Sequence, residues 1–123
     1  MNKDFAKLVS FLMHSRTQAH VFHLQTKSYA EHIALSGYYE GIVVLIDGLI
    51  ESFQGQYDVV DKYENYAINS YVSNADTIKY FKALMKTVAD LRTSVKDDTH
   101  LQNEIDTIVT LITSTLYKLK FLK

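Results

Sequence analysis

Not one proline interrupts the 123-residue chain, and only four glycines are spread through it. These are the residues that break helix interiors, so long helices are permitted throughout and an all-α fold is the natural class. The apolar residues recur at the spacing such helices need. Phe5, Leu8, Val9, Leu12, Ala19 and Phe22 mark a first helix over residues 3–26, and Leu35, Tyr38, Ile42, Leu45, Ile46, Leu49 and Phe53 a second over 28–54. Ile78, Phe81, Met85, Val88, Leu91 and Val95 give a third over 75–95. Leu101, Ile105, Ile108, Ile112, Leu116 and Leu119 give a fourth over 99–121. Four such stripes predict an antiparallel four-helix bundle, one domain over residues 1–123.

Helix ends and connections are also marked. Ser28 with Glu31 three residues later fits a capping box, and Gly55 suits the left-handed cap that ends a helix. Asn74 is a good cap for the third helix. Asp97, Asp98 and Thr99 mark the turn into the fourth, where acidic groups complement the helix dipole. The tyrosine-rich connection Gln56 to Asn74 is long, and long structureless connections are uncommon in compact domains, which predicts a short helix around Val59 to Ala67.

With no cysteine, disulfides and thiolate metal sites are excluded, and any metal must be held by oxygen and imidazole. No apolar run approaches a membrane span of ~20 residues, and the amino terminus lacks a signal-peptide pattern, so a cytoplasmic protein is expected. A net charge of −1 offers no general case for nucleic-acid binding. Lys79, Lys82 and Lys86 line one side of the third helix and read as a solvated face.

Chemistry concentrates between Thr17 and Gln54. Opposite its apolar stripe the second helix carries His32, Ser36, Glu40, Asp47 and Glu51, interleaved with Val43 and Ile50. A wholly solvated face would not hold those two apolar residues, so this side is expected to be covered as well, by another subunit for instance. Asp47 and Glu51 stand at i and i+4, where their oxygens converge and repel unless a cation sits between them. Such a pair is a half-site for iron or manganese. On the first helix His20 and His23 share a face, and either could complete the ligand set. Spacing alone leaves the plainer alternatives open: a solvated acid pair, and core histidines satisfied by a hydroxyl or carbonyl, the reading preferred for His23. His100 and Glu104 read as ordinary surface pairing. No glutamate with a histidine three residues on is repeated on two helices, which disfavours a di-iron centre inside the bundle.

His20, then His32 twelve residues on, Asp47 fifteen further and Glu51 four after that, is similar without a gap to the ferroxidase pattern of the Dps-type miniferritins. The resemblance implies a ferritin-like bundle with a short helix in the second connection, lying at a dimer contact. It implies Fe(II) oxidised by peroxide or dioxygen, with iron stored in a homo-oligomeric shell. It places the site at a two-fold interface, with His20 and His32 from one subunit and Asp47 and Glu51 from its partner. The pattern is not complete. Val21 stands where the family has tryptophan, Gln25 to Ser28 lack its glycine, and Ser36 replaces an aspartate, which removes a ligand from the second iron position. Some Dps-like proteins bind DNA through lysine-rich termini. Here only Lys3, Lys7, Lys118, Lys120 and Lys123 are available, so DNA binding is expected to be weak or absent. The competing reading is a non-catalytic helical-bundle structural or adaptor assembly protein.

Overall fold

The structure, a computed structural model, describes residues 2–123, and among them it is all-helical. Four long helices, α1 (Asn2–Gln25), α2 (Tyr29–Gln56), α3 (Asn74–Leu91) and α4 (Thr99–Phe121), account for most of the described residues, with a 3-10 turn at Arg92–Val95. The stripes read from the sequence are the core. Every apolar residue assigned inward on α1 and α4 is buried, as are Leu35, Tyr38, Ile42, Ile46, Leu49 and Phe53 of α2.

Contacts at the two ends of the bundle fix its topology. At one end the α2 carboxyl terminus meets the start of α4, where Gln56 Nε2 donates to Asp98 at 2.7 Å and the Tyr57 hydroxyl donates to the same carboxylate. At the other end Asn74, opening α3, donates to Glu31 near the start of α2 at 2.9 Å, and Lys123 reaches Asn74 at 2.8 Å. So α2 and α3 run in the same direction, α1 and α4 run opposite to them, and α1 and α4 each pack against both. Neighbouring helices are antiparallel, and the parallel pairs, α2 with α3 and α1 with α4, lie across the two diagonals.

That arrangement forces residues 57–73 to return the full length of the bundle, and they do so without a helix. Seventeen residues extended at about 3.3 Å each reach about 56 Å, against about 40 Å to be crossed; coiling 59–67 would cut the reach to about 40 Å and leave nothing for the sideways step. The short helix expected there is therefore absent. The strap instead lies along a polar stripe of α1, which bonds its backbone at four residues. Ser10 accepts from the amide of Glu64, His14 bonds the Ala67 carbonyl, Gln18 takes both backbone groups of Asn69, and Gln25 accepts from Tyr71.

Several local expectations are corrected. Gly55 is an ordinary helical residue with no positive φ, and α2 runs on to Gln56. The α3 cap is Ser73, whose hydroxyl accepts from the Asp76 amide, one residue before the expected Asn74. Ser28 does cap α2 by accepting from the Glu31 amide, but the Glu31 carboxylate does not return to complete the box. It is buried, and it accepts from Thr26 and Tyr71 at 2.6 Å and from Asn74. One carboxylate thus ties the α1–α2 turn, α2, the strap and α3 together. Finally, α2 is long and apolar enough to cross a membrane by length and composition, with mean hydropathy 1.6 over its richest stretch. The apolar run underrated in the sequence serves here as a bundle helix between α1 and α4.

Candidate metal centre

The α1–α2 hairpin positions all four candidate ligands. A three-residue turn, Thr26 to Ser28, folds α2 back so that Phe5 stacks on Phe53 at 3.8 Å near one end and His23 stacks on His32 at 3.7 Å near the other. His20 is half-buried and lies flat on Tyr39, ring centroids 4.2 Å apart and planes 11° from parallel. His32 is half-buried too, and its Nδ1 contacts the carbonyl oxygen of His23 at 2.9 Å. A carbonyl only accepts, so this nitrogen carries the hydrogen and the neutral ring presents its Nε2 lone pair, the tautomer that metal-binding histidines show when a carbonyl holds their other nitrogen.

Asp47 and Glu51 are exposed on α2 one turn apart, and neither forms a hydrogen bond or ion pair among the described residues. Asp47 borders a groove between α1 and α2 with Met13, Arg16, Thr17, Val43 and Ile46. Arg16 stands in the same groove without pairing to it. The acid pair is open on its solvent side, as a half-site requires.

What one chain does not do is bring the histidines to the carboxylates. His32 and Asp47 are fifteen residues apart on one helix, an axial separation of about 22 Å. His20, level with Tyr39, is about 12 Å short of Asp47. Among the described residues no three ligand-type side chains converge on one point. The side of α2 carrying Val43 and Ile50 is covered by the chain itself, with Ile50 buried and Val43 half-buried, whereas Tyr29 (78% exposed), Ile33 (49%) and Val44 (72%) are left open on the outer side of α2.

His23 is satisfied by a carbonyl, as a core histidine should be, with Nδ1 2.7 Å from the oxygen of His32. Its stacking on a candidate ligand was not foreseen. Nor was the role of His14, which Ala67 and Tyr80 hold from either side at 2.8 Å. Its Nε2 donates to the Ala67 carbonyl, and in the neutral ring its Nδ1 would accept from Tyr80, a phenol whose pKa burial pushes well above its ordinary value. His100 and Glu104 make no ion pair, and Lys86 pairs with Asp90 at 2.8 Å on the solvated face of α3.

No curated protein and no solved structure matches the chain. A family model matches residues 23–119, a span that takes in His23, His32, Asp47 and Glu51 and begins just after His20. The chain belongs to that family, described as a family of unknown function, DUF5856.

Proposed function

We propose that the chain is a Dps-like miniferritin, which binds and oxidises Fe(II) at sites shared between subunits and stores ferric iron inside a homo-oligomeric shell. One observation carries this reading. Two half-sites, the imidazoles and the carboxylates, sit far apart on the same α1–α2 hairpin, so a second copy laid antiparallel across it would set His20 and His32 of one beside Asp47 and Glu51 of the other. Further support comes from the bundle itself, in which a single long crossover joins two parallel helices, as in ferritin-like folds.

The chemistry suits the donors. Iron is the substrate here, and two Fe(II) ions each give one electron to a peroxide molecule, which leaves as two hydroxide ions. Carboxylates favour the Fe(III) product, while imidazoles bind Fe(II) without adding charge. His20, Asp47 and Glu51 form the stronger position and His32 serves a weaker one, since Ser36 offers it no carboxylate. DNA binding is weak at most, given the few cations at the termini, and the protein works in the cytoplasm.

Light scattering should give the mass of a many-copy particle. Anaerobic Fe(II) titration followed by peroxide should show binding and accelerated oxidation, slowed at least about ten-fold by Glu51→Gln with the helices intact. A monomer that neither binds nor oxidises Fe(II) would leave the alternative, a non-catalytic bundle that assembles or adapts other proteins. The absence of an acidic residue at Ser36 is what favours that second reading.

A further inference from the structure

We infer that His23 is a positioning residue for His32, holding the imidazole that serves the weaker iron position; the inference rests on the iron-site reading above. The two rings lie face to face, centroids 3.7 Å apart and planes 18° from parallel. Each Nδ1 donates to the other residue's backbone carbonyl, at 2.7 Å from His23 and 2.9 Å from His32. Both hydrogens are therefore on Nδ1, and both Nε2 atoms carry lone pairs in the neutral rings.

Only one of the two can serve a given ion. A metal sits in the plane of the imidazole that binds it, and two nearly parallel planes at stacking distance share no such point. Burial decides which: His23 is 8% exposed, whereas His32 is half-open to solvent. His32 is then the ligand and His23 the wall behind it. Turning the His32 ring over would take its Nδ1 from the His23 carbonyl, and swinging it aside would break the stack. The bond from His23 to the His32 carbonyl joins the last turn of α1 to the first turn of α2, while the stack and the bond that His32 itself donates are what fix its ring. Nothing in the four-residue ligand pattern assigns a role to His23.

The test uses the full chain with Co(II) as the probe, read by visible absorption, and takes as its signal the part of the spectrum that His32→Ala abolishes. His23→Asn keeps an N–H donor near the position of Nδ1 but removes the ring, and should weaken that binding about ten- to a hundred-fold and shift its bands. His23→Phe restores a ring against His32 and should bind within about threefold of wild type, a small part of that range. Circular dichroism should report unchanged helix for both. Wild-type binding by His23→Asn, or an equal loss in His23→Phe, overturns the inference while leaving the iron-site reading standing. If no Co(II) signal in the wild type depends on His32, both fall together.

Discussion

Gln18 holds the backbone of Asn69 at both its ends: the side-chain amide donates to the Asn69 carbonyl at 2.7 Å and accepts from the Asn69 amide at 2.8 Å. A fully buried glutamine on α1 thus stands in for the partner strand that an extended strap would otherwise need. Replacing it with methionine keeps the volume and strands both backbone groups, which should cost about 1–3 kcal/mol. Urea unfolding measures the loss. Hydrogen exchange at the Asn69 amide should accelerate more than exchange in α4, and uniform acceleration would show that the strap has no separate anchorage here.

Glu31 offers a sharper case, because its two oxygens accept three hydrogen bonds and it is only 3% exposed. Glu31→Gln puts an NH2 group where one oxygen faced donors, so at least one of Thr26, Tyr71 and Asn74 loses its acceptor. Bonds to charged groups are worth about 1.5–3 kcal/mol each, and a loss of that order is expected in thermal unfolding. A change within about 0.5 kcal/mol, the range of ordinary surface substitutions, would mean the cluster contributes little.

Burial pushes the phenols of Tyr38 and Tyr80 well above their ordinary value, so both stay neutral in the folded protein where the unfolded chain ionises near pH ~10. The folded pKa values are the raised ones, so this contribution to stability is complete below pH ~10 and is lost as the pH climbs above it. Stability should fall steeply in alkali, and two phenolates should appear only with unfolding. Tyr38→Phe, which gives up a bond to Ser15, should cost about 0.5–1.5 kcal/mol at neutral pH and flatten the alkaline decline. An unchanged slope in the variant would be the contrary result.

How legible all this was depends on where the determinants lie in the chain. The α1 and α4 stripes were readable because each is set by residues three or four apart. The strap was not, since its backbone partners, Ser10, His14, Gln18 and Gln25, belong to a helix some fifty residues earlier. Its polar stripe on α1 was a visible signal, and the reach needed to cross the bundle would have excluded a helix there. Ser73 and Asn74 are both competent caps, but the Asn74 side chain is engaged by Glu31 and Lys123, contacts far away in the sequence. The stacking of His23 on His32 follows from the register of a hairpin with a three-residue turn, which period alone does not fix. The candidate ligands were legible as two separate pairs, which one chain does not bring together; on the proposed reading a second copy would.

The outer side of α2 decides that last point. Val44, 72% exposed, sits between Glu40 and Asp47, and Ile33 is half-open one helical stretch earlier. A like charge added at Val44 should barely trouble the single chain, because exposed positions tolerate substitution within about 0.5 kcal/mol. Across a two-fold contact it would meet the acidic residues of both copies. Val44→Glu is therefore expected to keep its circular dichroism, lower the particle mass in light scattering and, by separating His20 and His32 from the partner's carboxylates, slow Fe(II) oxidation with it. Lys82→Glu, an exposed change on α3, is the control that should alter neither. Should Val44→Glu assemble and oxidise iron as the wild type does, this face is not where copies meet, and the two half-sites on it do not make one site.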